Sequence, residues 1–488
     1  MEWDYAILNN VFLDDNEKRL LLDGWWGIER ESQRVNPDGS LALTPHPQAL
    51  GDKLTNTRIT TDFAESQLEL VTPPYNTIDA AYESLLEIQK EVEQGLADEL
   101  MWPLSMPPKL PDEEAIPIAY FGETPAGKEK ELYRQGLAKR YGKKMQMISG
   151  IHYNYSLGNK LTDFLYQRMG AGIIDGGIIG NDKIGTRITR RQFDEELYLA
   201  IVRNFLRYRW LPIYLFGASP NIDETYYSVI CKELEAIKQD YPDCSQVISD
   251  FQRHATSLRV SRYGYSNSVQ QQYTILFNSL TEYITTIREM LQGNILQKEN
   301  EFYSSIRLKP VLEPGEVQLD ALDKRGISYI EVRILDLNPF ANGGIDLEQL
   351  YFMQVFMLYC LFEGNANLSK HELEIANENH HLVSMAGRNQ ELRLKRFKQD
   401  ACKSVQDAYE SVSLVDFGHE IFDRLLQIAM IMDEGTGTVK YQTVVKAEEE
   451  KLKNPDLLLA SRICNEMLEN EESYLQLGIR YAKLHRHV

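Results

Sequence analysis

The sequence predicts an α+β protein, with one sheet interrupted by helices and a helical part at its C-terminal end. Short runs before residue 345 alternate apolar and polar residues, the period-2 pattern of half-buried strands. Longer runs between and after them repeat apolar residues every three or four positions, as amphipathic helices do. We therefore expect residues 1–345 to form a sheet region with inserted helices. Residues 346–488 should form a helical part packed on it, in one structural unit.

The predicted elements follow one another without repeats or long linkers. The clearest helices before residue 345 are IDAAYESLLEIQKEVEQGLADEL and residues 192–217, the second ending near Gly217. After residue 345 every element reads as helix. The stretches that predict strands are, in chain order, WWGIERESQRV, ITTDFAESQLELVT, MISGIHYNYSL, YSSIRLKPVL and SYIEVRILDL.

The composition is typical of a soluble globular chain, with 43% hydrophobic and 25% charged residues among 488. The formal net charge of −20 would repel nucleic acids and anionic membranes, so we expect neither as a partner. The start, MEWDYAILNN, lacks a signal-peptide pattern, and the most apolar run, LYFMQVFMLYCLF, is too short to span a bilayer. Five scattered cysteines without CxxC spacing favour a reducing compartment. We expect a cytoplasmic protein.

Several predicted strands present polar side chains on one face, because residues two apart along a strand point the same way. These side chains are mostly carboxylates, with one imidazole, one arginine and almost no lysine. In chain order they are Glu29 and Glu31, then Glu65, Gln67 and Glu69 with Asp62 nearby, then His152, Asn154 and Ser156, and finally Glu331 and Arg333.

A solvated sheet face is one interpretation of this pattern, since antiparallel sheets commonly have one wet side. Composition favours another interpretation. Crowded carboxylates raise one another's pKa unless cations lie between them. Hard oxygen ligands with a single histidine suit Mg²⁺ or Mn²⁺. An acidic face that binds Mg²⁺, which in turn binds a triphosphate, would reconcile an acidic protein with a nucleotide.

Other motifs carry less information. The Gly-rich run from Gly170 to Gly185 lacks the GK[ST] ending of a phosphate loop, so we expect a loop without that role. The pair His380 and His381 lies in a polar helical stretch and is expected at the surface. The terminal HRHV is expected to be a frayed end. No GxSxG or HExxH motif is present in the sequence.

At the polar strand faces the sequence resembles a known family, the bacterial glutamate–cysteine ligases, also called γ-glutamylcysteine synthetases. Eight matching blocks run in family order from about residue 25 to 345: GIERESQRVNPDGSLALTPHPQALG, ITTDFAESQLELVTP, MWPLSMP, LYRQGLAKRYGKKMQMISGIHYNYSL, NFLRYRWLPIYLFGASP, ATSLRVSRYGYSN, LQKENEFYSSIRLKP and YIEVRILDLNPF. The resemblance implies a fold related to glutamine synthetase. In that fold a curved antiparallel sheet forms a funnel-shaped active site, with helices outside.

The resemblance also implies a reaction, the first step of glutathione biosynthesis. ATP and Mg²⁺, or Mn²⁺ in its place, would join the γ-carboxylate of L-glutamate to the amino group of L-cysteine through a γ-glutamyl phosphate. The chain ends soon after its helical region, so we expect the stand-alone ligase. Two alternatives are a γ-glutamyl ligase for another small amino acid or amine, and an inert relative. The second would lack a metal carboxylate or Arg333, and none is missing here.

The family's motifs imply roles for named residues. The implied Mg²⁺ ligands are Glu29, Glu31, Asp62, Glu69, His152 and Glu331. Arg333, beside the catalytic Glu331, would contact the transferred phosphoryl group, and Arg259 would bind the α-carboxylate of glutamate. The implied cysteine pocket consists of Phe63, Tyr133, Leu137, Tyr265 and Tyr303, with Gln146 and Asn154 helping to place the substrates. Further implied phosphate contacts are Arg134, Arg307 and Lys309.

Overall fold

An antiparallel sheet, built from strands that lie far apart in the sequence, forms the centre of the computed structural model. The structure describes residues 3, 5–169, 188–237, 244–264, 273–398 and 409–486. The strands are β1 Gly24–Val35, β2 Ile59–Thr61, β3 Gln67–Val71, β4 Leu100–Met101, β5 Ile151–Leu157, β6 Ile306–Lys309, β7 Tyr329–Leu335, β8 Arg393–Phe397 and β9 Tyr409–Ser413.

Strand order in the main sheet is β2-β3-β1-β5-β7-β6, with the short β4 paired to the far end of β1. Each of these pairings is antiparallel. Strands β8 and β9 form a separate two-stranded sheet. The predicted α+β class is therefore confirmed, and the strands of the described residues do not close into a barrel.

Helices surround the sheet and make up most of the chain after residue 345. They are α1 Leu8–Val11, α2 Asp15–Arg19, α3 Ile78–Gly95, α4 Pro125–Tyr141, α5 Asn159–Met169, α6 Arg190–Tyr208, α7 Trp210–Phe216, α8 Tyr227–Ile237, α9 Cys244–His254, α10 Leu280–Gln292, α11 Gln318–Arg325, α12 Leu347–Phe362, α13 Lys370–Ala386, α14 Leu414–Thr436, α15 Lys440–Lys453, α16 Leu459–Glu469 and α17 Tyr474–Arg486.

The core lies between one face of the sheet and these helices. Trp26 and Ile28 of β1 point into it, as do Tyr153 of β5 and Val332 of β7. Helix α3 packs on β1 and β3, and α6 packs on β6 and on α12. Residues 349–362 of α12 are all buried, which explains why its sequence is apolar apart from Gln349 and Gln354. No helix in the described part of the chain is long and apolar enough to cross a membrane.

Two predictions about the elements were wrong. The stretch ITTDFAESQLELVT is a hairpin of β2 and β3, with residues 62–66 as its turn. The region after residue 345 contains strands β8 and β9 as well as helices. The Gly-rich run from Gly170 to Gly185 lies outside the described residues. Cys360 and Cys464 are free thiols, whereas Cys231 is in a disulfide that the cysteine spacing did not predict.

Candidate active site

The polar faces of the central strands meet on the side of the sheet away from the core. Antiparallel pairing sets Glu29 of β1 opposite His152 of β5, and Asn154 of β5 opposite Glu331 of β7. The pairing of β5 with β7 shifts register between Ile151 and Tyr153, at the position of His152. Strand pairing therefore gathers side chains that lie more than 100 residues apart in the sequence.

Glu29, His152 and Glu331 form a tight group in which one ligand atom from each lies within 4.8 Å of the others. His152 Nδ1 is 3.0 Å from Glu29 Oε2 and 3.5 Å from Glu331 Oε1. Asn154 Nδ2 donates to Glu29 Oε1 at 2.8 Å. The side chains of His152 and Glu331 are only 4% and 3% exposed, whereas that of Glu29 is 21% exposed, so the group is open to solvent on the side of Glu29.

Basic side chains surround Glu331. Arg333 Nη1 donates to Glu331 Oε1 at 2.8 Å, and Lys309 Nζ lies 3.1 Å from Glu331 Oε2. Arg307, which pairs with Glu331 across β6 and β7, approaches the same oxygen to 4.0 Å. Burial alone would raise the pKa of Glu331, but Lys309, Arg333 and Arg307 outweigh it and hold that pKa well below its ordinary value.

The other acidic side chains continue this face toward β3. Glu31 pairs with Glu69 across β1 and β3, and His152 Nε2 is 3.5 Å from Glu31 Oε1. Burial raises the pKa of Glu69 well above its ordinary value, and the charges of Asp62, Glu29 and Glu31 raise it further. Among the described residues, these carboxylates do not form a second group as tight as the first. Their crowding favours a proton or a cation between them.

Hard donor atoms at this spacing fit a divalent cation such as Mg²⁺ or Mn²⁺. Within the described part of the chain, Asn154 Oδ1 is buried without a hydrogen-bond partner. Buried acceptors in this state are costly unless something binds them. The residues present therefore suit a metal ion at Glu29, His152 and Glu331.

Arg259 lies beside this group, next to Arg333. Its Nη2 donates to the backbone carbonyl of Arg333 at 2.9 Å. Its Nη1 is buried, has no hydrogen-bond partner in the described residues, and lies 3.6 Å from Asp336 Oδ1. Gly150 separates Arg259 from Glu31, because its backbone N–H donates to Glu31 Oε2 and a Cβ there would lie 1.9 Å from Arg259 Nη2.

Asp336 and Gly150 were not predicted from the sequence. Asp336 is 1% exposed and accepts hydrogen bonds from the Ala218 N–H and the Ser219 hydroxyl. The Ser219 hydroxyl also accepts from the backbone N–H of Arg259, so Asp336 supports the loop that carries this arginine. A single carboxylate inside the apolar stretch ILDL was the signal in the sequence.

The predicted cysteine pocket is brought together in part. Phe63 and Leu137 are buried in one apolar cluster with Ile148, and Tyr133 packs against it. Tyr303 is half-buried near the positive charges of Arg259, Arg333 and Arg307, the last of which also lies near Tyr133. Tyr265 lies outside the described residues.

The remaining predicted contacts occupy different positions around the face. Gln146 is buried in a short 3₁₀ helix, Met145–Met147, just before β5. Arg134 of α4 donates to the backbone carbonyls of Asp62 and Thr61 at the hairpin turn. Arg134 is therefore held beside the acidic turn and not beside Glu331.

Three predictions about individual side chains were wrong. Glu65 does not share the face of Glu69, because it lies in the hairpin turn and binds Lys53 Nζ at 2.6 Å. His380 is 8% exposed, and its Nε2 donates to the Val260 carbonyl at 2.7 Å, next to Arg259. His485, from the expected frayed end, is 7% exposed within α17.

Comparison with known proteins places the whole chain in one group. A family model described as glutamate-cysteine ligase matches residues 10–294 and 288–383. A glutamate–cysteine ligase of Clostridium acetobutylicum is 46% identical over 506 residues, covering 99% of this chain and 100% of the relative. Another from Pseudomonas putida is 37% identical over 480 residues, covering 94% and 85%.

Solved structures agree with the sequence comparison. A Francisella tularensis glutamate–cysteine ligase in complex with AMP has a TM-score of 0.79 at 28% identity, covering 95% of this chain and 88% of that chain. A bifunctional glutathione synthetase from Pasteurella multocida has a TM-score of 0.75 at 29% identity, covering 99% and 54%. This chain thus spans about half the length of the bifunctional protein.

Proposed function

The chain belongs to the glutamate–cysteine ligase family, and we propose that its polar sheet face carries the reaction. The activity is ATP-dependent joining of the γ-carboxylate of L-glutamate to the amino group of L-cysteine, which yields γ-glutamylcysteine, ADP and phosphate. One observation above all supports this placement: the group of Glu29, His152 and Glu331 lies directly beside the basic side chains of Lys309, Arg307 and Arg333. Phosphoryl transfer requires carboxylates that bind the metal cations and basic side chains that bind the phosphate anions.

Mg²⁺ would be held by Glu29, His152 and Glu331, with Glu31, Asp62 and Glu69 as the ligands toward β3. When bound, a divalent cation neutralises the charge of the triphosphate and of the phosphoryl group in transfer. The uneven protonation of the face supports this arrangement. Cationic neighbours lower the pKa of Glu331, so its carboxylate is charged at neutral pH. Burial and like charges raise the pKa of Glu69.

Arg259 would bind the α-carboxylate of glutamate through Nη1, the guanidinium atom that has no hydrogen-bond partner among the described residues. Gln146 and Asn154 would help to orient the substrates. Arg333 would stabilise the transferred phosphoryl group, with Arg307, Lys309 and Arg134 as further phosphate contacts. The γ-carboxylate oxygen then attacks the terminal phosphorus of ATP, which forms a γ-glutamyl phosphate and releases ADP.

The second half of the reaction takes place at the acceptor pocket. Phe63, Tyr133, Leu137, Tyr265 and Tyr303 would enclose the side chain of cysteine. Its amine attacks the γ-carbonyl carbon, the amide bond forms and phosphate leaves. A pocket of this kind discriminates weakly between a thiol and a small alkyl group, because one methylene is worth about 1–3 kcal/mol.

We also propose that residues 1–345 carry all of these groups, that residues 346–488 serve mainly to pack against them, and that the protein acts in the cytoplasm. The apolar core supports these separate roles for the two regions. Helices α12, α14 and α15 contribute buried residues behind the sheet and none of the side chains at the polar face.

Release of ADP by the purified protein tests the function. The reaction contains ATP, Mg²⁺ and L-glutamate with L-cysteine, L-2-aminobutyrate or no acceptor, and mass spectrometry identifies the dipeptide. We expect the highest rate with cysteine and γ-glutamylcysteine as product. A preference for another acceptor would contradict the cysteine pocket and support the alternative γ-glutamyl ligase. An absence of turnover in all three conditions, with the fold intact by circular dichroism, would contradict the function itself.

A further inference from the structure

Trp25 is an exposed tryptophan on the same face of the sheet as the candidate metal ligands. Its neighbours Trp26 and Ile28 point into the core, so by alternation Trp25, Gly27 and Glu29 point to the polar side. Its side chain is 49% exposed, whereas the other four tryptophans of the chain are at most 9% exposed. A large exposed ring on this face is available to stack against a flat ligand.

The strand register places Trp25 at the outer end of this face. Trp25 pairs with Ser156 of β5, and Lys309 of β6 pairs with Tyr329 of β7, so these side chains form one row across four strands. The Ser156 hydroxyl donates to the backbone carbonyl of Ser328, next to Tyr329, which holds β5 and β7 in step here. The row contains no carboxylate.

Small residues leave a shallow recess in the sheet surface in front of Trp25. Gly27, one row closer to Glu29, has no side chain, and Ser156 has a short one. The half-buried ring of Tyr329 lies two strands from Trp25, a separation of roughly 10 Å in an ordinary sheet. This width suits one flat ring system.

The distance along β1 from this recess to the metal ligands matches the length of a nucleotide. Glu29 lies four positions after Trp25, which corresponds to about 13 Å of extended strand. An extended nucleoside triphosphate covers a comparable length from its terminal phosphate to its base. The basic groups Lys309 and Arg307 lie along the same two rows, where the phosphates would run.

We propose that Trp25 is a binding residue for the base of ATP, which stacks on its ring over Gly27 and Ser156 while the phosphates reach Glu29 and Glu331. The inference rests on the proposed function, because it takes the triphosphate to lie at the metal ligands. The AMP in the Francisella tularensis relative shows that a similar protein binds an adenine nucleotide.

Fluorescence tests the stack directly in the intact protein. Acrylamide quenches exposed tryptophans, so Trp25 should dominate the quenching of the free protein. With Mg²⁺ present, we expect ADP to reduce quenching and inorganic tripolyphosphate, which has no base, to leave it unchanged. Protection by both compounds, or by neither, would overturn the proposal.

Kinetics provide the second measurement. Trp25→Ala should raise the KM for ATP roughly 10-fold to 100-fold, as loss of one base–aromatic stack does, with kcat at saturating ATP nearly unchanged. Trp25→Phe should restore most of the affinity. Leu468→Ala, which alters a side chain 79% exposed on α16, is the matched control and should change neither constant.

An unchanged KM in Trp25→Ala would overturn the proposal. Failure of the proposed function is a different result: the unaltered protein would then show no cysteine-dependent ADP release, whatever the quenching data show.

Discussion

At the scale of single residues, the site depends on a few side chains whose charge is fixed by direct contacts. Glu331 is the centre of these contacts, since Arg333, Lys309 and His152 all lie within 3.5 Å of its carboxylate. Removing one member leaves the others buried and incompletely paired, which is costly for charged groups. Changes here should therefore reduce activity and also lower stability, without altering the fold.

We expect Glu331→Gln and Arg333→Ala each to lower kcat by at least about 100-fold, the effect of losing one preorganised electrostatic group. The far-ultraviolet circular dichroism should be unchanged. Arg288→Ala is the matched control, because Arg288 is exposed and, among the described residues, forms its ion pairs with Asp320 and Asp323 on the surface. Near-normal turnover in either site variant would contradict the assignment.

Gly150 sets the position of Arg259, so we expect Gly150→Ala to fold and to bind glutamate poorly. The new Cβ would displace the end of a flexible side chain, not backbone. The KM for glutamate should rise at least 10-fold while the KM for ATP changes little. In a double-mutant cycle with Arg259→Ala, the two effects should not add, since both act on one contact. Full additivity would mean that Gly150 acts elsewhere.

The sequence pattern identified most of the residues on the polar face. It missed residues that leave space for a neighbouring side chain or that support a loop behind the site. Alternation marked Glu29, His152 and Glu331 because charged side chains on strands are conspicuous. Gly150 acts through the absence of a side chain, so it leaves no mark in the alternation. Asp336 acts through a buried loop contact, and its one signal is a carboxylate within the apolar stretch ILDL. Glu65 shows the opposite error. Alternation placed its carboxylate on the polar face, but Glu65 lies in the hairpin turn and binds Lys53 instead.

At the scale of elements, the local sequence pattern predicted a helix or strand correctly where that element also buries an apolar face. Helix α3 begins at a capped turn, where the Thr77 hydroxyl accepts from the Ala80 N–H at 3.2 Å, and its apolar stripe is buried as predicted. Strands β8 and β9 were missed because RLKRF and YESVS carry charges and bury little apolar surface. Their pairing comes from contact with each other, which no local pattern reveals.

Helix α15 is anchored by a buried carboxylate at the end of α14. Asp433, 1% exposed, accepts hydrogen bonds from the N–H groups of Tyr441 and Gln442 and from the Thr438 hydroxyl. We expect Asp433→Ala to lower the free energy of unfolding by about 1–3 kcal/mol, because these donors lose their acceptor. Urea denaturation measures this.

The matched control for that variant is Asp423→Ala, on the exposed face of the same helix α14. It should change the free energy of unfolding by less than about 0.5 kcal/mol. An equal loss in both variants would show that Asp433 acts through general charge and not through the cap.

At the scale of the whole molecule, several histidines are buried among cations. Burial, with Arg30 nearby, lowers the pKa of His485 to about 4. Burial, with Lys53 and Arg34, lowers the pKa of His46 to about 4. These groups are neutral in the folded protein at neutral pH, and the unfolded chain binds their protons first as the pH falls.

The folded state should therefore lose stability between pH 6.5 and 4, the interval between the unfolded and folded pKa values of His485. One such histidine accounts for up to about 3 kcal/mol. We expect the free energy of unfolding of His485→Gln to depend less steeply on pH in this interval, by up to one proton. His371→Gln, at a partly exposed histidine, is the control. Identical slopes in all three proteins would contradict this account.

The register of the sheet has a consequence for how the protein becomes active. Glu29, His152 and Glu331 come from strands paired across long sequence separations, and such nonlocal contacts form slowly in folding. During refolding from urea, helical circular dichroism should return before γ-glutamylcysteine formation does, and simultaneous recovery of the two signals would contradict this order. A chain still being synthesised cannot assemble these three ligands until β7 is available. Catalytic activity is thus a late product of folding, and it reports the completed native state.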